Sequence, residues 1–427
     1  MVTAICIIFI LGYVAIALEH PIKINKAASA LVTAALCWSV YALFSSNGHG
    51  AAEYLNEHLG EVAGILFFLM GAMTIVELID AHDGFYIITN RIKTTNKKKL
   101  VWLIAFITFF LSAVLDNLTT TIVLVSLLRK IIPAKEDRLM FAALVIISAN
   151  AGGAWSPIGD VTTTMLWIGG QITVGSIIQQ TIIPSIICTI LPAILISWKM
   201  KGNLNPGDMI PEKDLNFNTS AFNRNLVFGI GIACLLFVPV FKTITHLPPY
   251  MGMLFGLGIM WVVTELIHSK RDEVEKGFLS VNHALRKIDT PSVLFFLGIL
   301  LSIGALQATG VLTNLATFLD EKIGNITIIT LIIGLLSAIV DNVPLVAATQ
   351  GMYSLTDYPT GHFFWEFLAY CAGTGGSALI IGSAAGVAAM GIEKIDFIWY
   401  LKKISWLALV GYFAGAAVFI LQHYLLG

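Results

Sequence analysis

Long apolar segments separated by short polar connectors recur from one end of the chain to the other. Runs of about 17 to 25 apolar residues have the length that crosses the hydrocarbon core of a bilayer. Only 12% of the residues are charged, whereas soluble domains carry about 25%. The sequence therefore predicts an all-α integral membrane protein whose main partner is the lipid bilayer. We expect no nucleic-acid partner and no cofactor.

Ten of these segments are predicted to cross the membrane. The first is interpreted as a span rather than a cleaved signal peptide, because no basic residue precedes it and no convincing cleavage site follows it. Paired glycines near 150–160 and 373–383 disfavour a continuous helix, so two of the ten spans are predicted to be broken. The ten predicted spans lie near 2–18, 27–45, 60–80, 139–168, 175–198, 223–243, 249–267, 291–309, 363–391 and 399–424.

The basic residues give the orientation of these spans. Of the 25 Lys and Arg residues, all but Lys242 and Lys322 fall in alternate connectors. By the positive-inside rule those connectors face the cytoplasm and both termini lie outside, which is periplasmic for a bacterial protein. This pattern requires the apolar stretches 100–130 and 325–355 to enter and leave the membrane on the same side. Each is therefore predicted to be a re-entrant hairpin.

The two hairpins carry one motif, SAVLDN at 112–117 and SAIVDN at 337–342. Asp and Asn suit a hairpin tip, because their short side chains bond to nearby backbone and tolerate left-handed geometry. Arms of roughly 15 residues would be too short to span at about 1.5 Å per residue. A turn at each Asp-Asn pair is therefore expected.

The motif belongs to an internal repeat of five spans and one hairpin. Because five is odd, the second copy enters the membrane inverted, which is a recurrent plan of secondary transporters. The predicted first repeat covers 1–200. A cytoplasmic linker follows at 201–222. The second repeat covers 223–427.

Three acidic residues lie far from any span end, namely Asp116, Asp160 and Asp341. A carboxylate at membrane depth is costly and marks ion pathways or proton relays. No Lys or Arg lies at comparable depth in the sequence and every His is in or beside a connector, so we expect no protein cation beside these carboxylates. A proton or a bound alkali cation remains to neutralise them.

These two ligands would compete. Burial favours the protonated form of a carboxylate, whereas a bound cation favours the ionised form. If the loaded states are the ones that cross the membrane, competition at one site gives exchange of protons for cations. The expected sodium ligands are Asp116, Asn117, Asp341 and Asn342.

The surroundings offer hard oxygen atoms, which alkali cations need, and broken helices add free carbonyls that can coordinate sodium. The alternatives stay open: the glycines could serve helix packing, the threonines could bond back to their own helix, and the two tip Asp residues could be structural. The expected supporting residues are Thr120, Asn150, Ser156, Thr163, Thr374, Ser377 and Ser383.

Four segments in this order resemble the NhaD-type sodium/proton antiporters of the ion transporter superfamily, and the resemblance covers almost the whole chain. It implies efflux of sodium or lithium in exchange for protons, most useful at alkaline pH, in a bacterial cytoplasmic (inner) membrane. It further implies a homodimer with scaffold spans in 1–80 and 223–309. The transport parts, in 100–198 and 325–427, are expected to move like an elevator. The segments are SAVLDNLTTT, ANAGGAWSPIGDVTTTMLWIGG, SAIVDNVPLVAA and GTGGSALIIGSAAGVAAMG.

The resemblance also marks a departure. The two Asp-Asn pairs stand where related sodium-coupled dicarboxylate symporters have Ser-Asn-Thr, and an Asp there would repel a carboxylate substrate. Asp160, whose repeat counterpart is Ser383, is expected to be a third ligand or a coupling residue. The alternative function is a sodium-coupled transporter of organic anions or oxyanions with the same fold. An intramembrane enzyme is disfavoured, because the chain lacks HExxH and has no nucleophile and base at depth.

Overall fold

The computed structural model describes residues 1–45, 48–90, 92, 94–204, 219–269 and 276–426, and within these ranges the chain forms helices and no β-sheet. The helices are α1 (Val2–Ala17), α2 (Glu19–Ile22), α3 (Lys26–Phe44), α4 (Gly48–Ala81), α5 (Tyr86–Thr89), α6 (Lys97–Leu115), α7 (Asn117–Ile131), α8 (Lys135–Ala154), α9 (Val161–Ile168), α10 (Val174–Lys199), α11 (Ala221–Thr245), α12 (Pro249–Ile267), α13 (Val281–Lys287), α14 (Thr290–Ala308), α15 (Val311–Ile323), α16 (Ile326–Leu336), α17 (Asn342–Met352), α18 (Phe363–Gly375), α19 (Ala384–Glu393), α20 (Phe397–Lys403) and α21 (Ser405–Leu426).

Eight helices in the described part of the chain are long and apolar enough to cross a membrane. The chain is therefore an all-α integral membrane protein, as predicted. Seven of the eight, α3, α4, α10, α11, α12, α14 and α21, coincide with predicted spans. Two details differ: α4 is 34 residues long and begins well before residue 60, and the amphipathic helix α15 was not predicted.

The hairpin arms are unequal, and the expected arm length is wrong for the first. Helix α6 has 19 residues and is itself long enough to cross a membrane, while α7 has 15. The second hairpin is shorter, with 11 residues in each arm. In both predicted hairpins the helices are interrupted at, or just before, the predicted Asp-Asn pair. Asp116 adopts the expected positive φ, 86°, but Asp341 does not, with φ −45°. The re-entrant path itself stays a prediction.

The two predicted helix breaks are present. Helix α8 ends at Ala154 and α9 begins at Val161, while α18 gives way to a single 3₁₀ turn before α19 begins at Ala384. The residues from Phe141 to Ala154 of α8 and from Phe364 to Gly375 of α18 are buried. Helices buried on all sides form the centre of a bundle. The helices that lead into the two breaks therefore lie at the centre of the bundle.

Glycines let the hairpins pack closely on the broken helices. A Cβ at Gly152 would overlap the carbonyl oxygen of Phe109 on α6, and one at Gly375 would overlap the carbonyl oxygen of Gly334 on α16. Only glycine allows such an approach. The packing role that the sequence left open is therefore real at these two positions, and it coexists with the helix breaks.

Contacts between the two halves occur in exchanged pairs. Helix α3 packs against α14, and correspondingly α12 packs against α4. The second arm α7 packs against α19, and α17 packs against α9. In each pair the two halves swap roles, as in a twofold arrangement of repeats. The inverted orientation and the division into scaffold and transport parts stay predictions.

The predicted linker at 201–222 lies mostly outside the described residues, which omit 205–218. Its first residues are attached to the start of the first hairpin. The Leu204 amide donates to the Thr95 carbonyl at 2.8 Å, and the Lys97 amide donates to the Gly202 carbonyl at 3.2 Å.

Candidate cation site

Four helices begin at one place in the centre of the bundle, and each begins at a residue with a short polar side chain. Asp116, Asp160, Asp341 and Ser383 accept hydrogen bonds from backbone amides of α7, α9, α17 and α19 respectively. Such side chains are preferred at helix starts, since they satisfy amides that lack a partner in the helix. The sequence pattern thus places three carboxylates and one hydroxyl where both hairpins meet both breaks.

A cavity of about 70 Å³ lies among these helix starts, and it has room for a few water molecules. Asp116, Asp160 and Asp341 all line it, together with Asn117 and Asn342. The five predicted ion-binding residues are therefore brought together at one cavity.

Asp160 is the residue on which both hairpin tips converge. Its Oδ2 accepts a hydrogen bond from the Asn117 amide nitrogen at 3.0 Å and faces that of Asn342 at 3.5 Å. Its Oδ1 accepts from the Thr162 backbone amide at 2.9 Å. Asp160 is only 2% exposed. From the sequence, Asp160 was expected to be only a third ligand or a coupling residue. In the structure, its carboxylate is the one that joins the two halves of the site.

A hydrogen-bonded chain continues from Asn117 into the second half. The Asn117 amide nitrogen also donates to Asn150 Oδ1 at 3.0 Å. Asn150 in turn donates to Ser377 Oγ at 2.8 Å and to Ser383 Oγ at 2.9 Å. All four side chains are buried. Buried polar networks of this kind hold their members in fixed positions when every group is satisfied.

Asp116 is held by its own helix. Its Oδ1 accepts from the Thr119 backbone amide at 2.8 Å, and its Oδ2 accepts from the Thr119 hydroxyl at 2.9 Å. Both carboxylate oxygens thus have a donor from one residue, and each oxygen keeps a further lone pair.

Asp341 has a protein cation beside it, so the expectation that no basic side chain reaches these carboxylates is wrong for this residue. Lys26 Nζ lies 3.6 Å from Asp341 Oδ2 and 4.4 Å from the centre of the Phe295 ring. Lys26 also lines the cavity. Lys26 is the first residue of α3, and its position at the edge of an apolar run assigned it to a connector. Hydropathy alone does not show that this helix start meets the second hairpin tip.

The other predicted supporting residues divide into two groups. Asn150, Ser377 and Ser383 belong to the network described above. The hydroxyls of Ser156, Thr163 and Thr374 instead donate to backbone carbonyls, those of Ala113, Asp160 and Tyr370. Thr120 is buried, and no hydrogen-bond partner of its hydroxyl is found among the described residues.

A cation at this site would need ligands beyond carboxylates. Within the described ranges, no three His, Cys, Asp or Glu side chains stand close enough to hold a metal ion by themselves. Amide, hydroxyl and backbone oxygens at the breaks would complete the coordination of a hard, weakly charged ion. Carboxylates that bind either a proton or a small cation make competition between these two ligands the chemistry to test at this site.

The fold defines a multi-pass membrane protein, and the cavity at its centre is the candidate ion site of a transporter. A protein-family model described as "Citrate transporter" (CitMHS) matches residues 6–369, which is most of the chain. The chain therefore belongs to the CitMHS family of transporters, within which it is of the NhaD type, as its similarity to the following relatives shows.

Among those relatives are two proteins of Arabidopsis thaliana. Sodium/proton antiporter 1 is 49% identical over 98% of this chain and 72% of its own length. Sodium/proton antiporter 2 is 48% identical over 98% of this chain and 99% of its own length. The Na⁺/H⁺ antiporter NhaD of Vibrio cholerae is 28% identical over 99% of this chain and 91% of its own length.

Proposed function

We propose that the protein exchanges cytoplasmic sodium or lithium for external protons by alternating access. The observation that carries this proposal is the convergence of Asp116, Asp160 and Asp341 on one central cavity. Three carboxylates around so small a space attract cations, and their mutual repulsion makes each of them a better acceptor for a proton or a metal ion. Plant and bacterial relatives that are named sodium/proton antiporters support the same exchange.

The exchange follows from competition at Asp160 and the two tip carboxylates. Sodium binding requires ionised carboxylates, so protons must leave before the cation enters. After the cation has left on the other side, protons return to the same oxygen atoms. Because an uncompensated buried charge is costly, the site crosses most easily when one of the two ligands has neutralised it.

The proposed direction of sodium transport, from the cytoplasm outward, rests on the position of the cavity. Its lining includes Lys26 and Ser292, which lie in the first turns of α3 and α14. The distribution of basic residues assigns both helix starts to the cytoplasmic side. In this conformation sodium would therefore enter from the cytoplasm, with both chain termini on the opposite face. Accessibility labelling of single cysteines near each terminus tests that orientation.

An organic anion is disfavoured as the substrate, although the family description names citrate. Among the described lining residues, three carboxylates face one ammonium group, that of Lys26. A tricarboxylate would meet net negative charge and would find its possible cationic partner already paired with Asp341. The net charge of the cavity thus favours a cation.

The decisive experiment uses the purified protein in proteoliposomes with an acidic interior. Addition of sodium or lithium outside should release the internal acidity, whereas potassium serves as the comparison ion. A parallel experiment adds citrate with and without a divalent cation. If neither sodium nor lithium releases the internal acidity between about pH 7 and 9.5, the proposal fails. Uptake of labelled citrate into the same vesicles would instead establish an organic anion as the substrate.

We also propose that the protein is a homodimer in the bacterial cytoplasmic membrane and that it contributes to pH homeostasis. In this proposal it needs no cofactor and performs no enzymatic step. The resemblance to NhaD-type proteins supports the homodimer, and the bacterial relatives support the location. The plant relatives make an organellar membrane the competing location, which a fluorescent fusion in the native cell would reveal. Mass measurement of the protein in a mild detergent tests the dimer.

A further inference from the structure

Lys26 connects two parts of the molecule that the proposed mechanism requires to separate. It begins α3, which packs against α14, whereas Asp341 is the tip of the second hairpin. The Lys26 ammonium group lies 3.6 Å from the Asp341 carboxylate and over the face of the Phe295 ring of α14. An ammonium group is attracted by the face of an aromatic ring. Lys26 is therefore held at the cavity from the α3 and α14 side.

We propose that Lys26 is a tethered cation that occupies Asp341 whenever no transported ion is bound there, and that it thereby keeps the unloaded carrier from crossing the membrane. The proposal rests on the exchange function above. It assigns Lys26 as a positioning and specificity-determining residue, because it acts through Asp341 and touches neither substrate.

Competition follows from the shared carboxylate. Asp341 Oδ2 faces the Lys26 ammonium and also lines the cavity into which sodium would enter. A sodium ion at Asp341 provides the same positive charge as Lys26, so one can replace the other without leaving the carboxylate uncompensated. Both side chains keep contact with water, with 29% of Lys26 and 21% of Asp341 exposed. A partly hydrated ion pair is easier to exchange than a dry one.

The same ion pair accounts for obligatory coupling. An exchanger wastes the gradient if its empty transport part crosses the membrane. With Lys26 fixed near Phe295 and Asp341 moving with the hairpin, crossing would pull the two charges apart and leave the ammonium beside an aromatic ring without its carboxylate. Sodium at Asp341 removes this restraint, since the pair is then already broken.

Among the residues that the structure describes, Lys26 has no equivalent at the first hairpin tip. Helix α12 is the counterpart of α3 and begins at Pro249, which has no charge. Asp116 is instead satisfied by Thr119. Elsewhere in the described lining of the cavity there is no other Lys or Arg. Removal of Lys26 therefore leaves no nearby basic side chain to take its place.

The test compares Lys26→Met and Lys26→Arg with the wild-type protein in proteoliposomes. Lys23→Met is the matched control, because Lys23 precedes the same helix but is exposed to solvent. For Lys26→Met we expect the sodium concentration at half-maximal exchange to fall by about fivefold, as expected for loss of a competing ligand. We also expect an imposed pH gradient to decay faster without sodium. Lys26→Arg should keep both properties near wild type.

A second variant separates charge from folding. Lys26→Cys can be labelled in the folded protein with a methanethiosulfonate that adds an aminoethyl group or with one that adds a methyl group. The aminoethyl group restores an ammonium of nearly the length of lysine, so only this reagent should suppress the leak. Most of the native cysteines are buried, namely Cys37, Cys188, Cys234 and Cys371.

The outcomes are distinct. If the wild-type protein exchanges sodium and Lys26→Met matches it in both half-saturation and leak, the tethered-cation role is refuted while the proposed function stands. Equal effects of the aminoethyl and methyl labels also refute it. If the wild-type protein responds to neither sodium nor lithium, the proposed function itself fails.

Discussion

The two hairpin tips carry nearly the same motif, SAVLDN and SAIVDN, yet their aspartates have different partners. Thr119 stands three residues after Asp116 and donates both its amide and its hydroxyl to that carboxylate. The equivalent position after Asp341 is Pro344, which has neither an N–H nor a hydroxyl. Asp341 accepts only a longer bond of 3.3 Å from the Val343 amide within its own helix. A single replacement in the repeat thus leaves the second carboxylate free to pair elsewhere.

The two halves also differ on the opposite side of the cavity. Lys26 begins α3 in the first half and reaches Asp341, whereas Pro249 begins α12 in the second half. The first tip therefore has its negative charge compensated by donors that move with it. The second depends on a charge carried by another helix. We therefore propose that Asp116 keeps the same partners throughout the transport cycle, whereas Asp341 exchanges Lys26 for the transported ion.

Asp160 belongs equally to both tips, and for that reason its loss should have the largest effect. In Asp160→Asn, an amide nitrogen placed at Oδ2 would face the amide nitrogens of Asn117 and Asn342, so donors would meet donors. Hydrogen bonds to a charged group contribute roughly 1.5–3 kcal/mol each, and a loss of about 3 kcal/mol is about a hundredfold in an equilibrium constant. We expect at least that loss of sodium-driven proton release.

The control for this variant is Asp396→Asn. Asp396 also caps a helix, through the Trp399 amide at 2.8 Å, but it does so on the surface. It should keep wild-type exchange. Activity of Asp160→Asn above one tenth of wild type would show that the two tips do not share this carboxylate in the transport cycle.

Asp341→Asn should come next, and it separates the two tips by charge. The variant leaves the Lys26 ammonium in the cavity without its counter-charge, so sodium entry should weaken by about tenfold or more, the size expected for one partner removed from a partly buried pair. Adding Lys26→Met restores the original net charge of the cavity. The double variant should therefore exchange sodium better than Asp341→Asn alone. If Lys26→Met changes the sodium half-saturation concentration by the same factor in the Asp341→Asn background as in the wild-type protein, the pair is not coupled.

Much of this fold could be predicted from the sequence, because the determining features are long and repetitive. Apolar runs predicted most of the spans, and the Asp-Asn pairs predicted where the helices of both expected hairpins are interrupted. The arm length of α6 was predicted wrongly, since a basic start at Lys97 and an apolar continuation look alike whether a helix crosses the membrane or turns back. Helix α15 was missed because its polar face hides it from a hydropathy profile.

The candidate site was harder to predict, since it depends on contacts between distant residues. The three carboxylates were identified by their depth in apolar runs, a property of each run alone. The central position of Asp160 requires both tips to meet at one break, a contact between residues 182 positions apart in the case of Asn342. Lys26 was assigned to a connector for the same reason, because its partner Asp341 is in the other half.

Thr119→Val tests the fixed character of the first tip and should have a moderate effect. The change removes the hydroxyl bond to Asp116 Oδ2 but keeps the backbone bond to Oδ1. A hydrogen bond to a charged group contributes roughly 1.5–3 kcal/mol, so we expect sodium half-saturation to change by about tenfold. The isosteric control is Thr121→Val, whose buried hydroxyl has no hydrogen-bond partner within the described residues. Equal behaviour of the two variants would contradict a fixed Asp116.

The smallest expected effect comes from giving the second tip the chemistry of the first. Pro344→Thr restores a backbone amide and a hydroxyl three residues after Asp341, so this carboxylate could be satisfied within its own helix. Exchange should persist with a change of only about two- to threefold, the size of a few tenths to one kcal/mol for a helix-start contact.

The Pro344→Thr variant is most informative in combination with Lys26→Met. If dependence on Lys26 arises because Pro344 leaves Asp341 without local donors, removing Lys26 should have less effect on sodium half-saturation in the Pro344→Thr background than in the wild-type protein. An undiminished effect would mean that Lys26 acts independently of this difference between the tips.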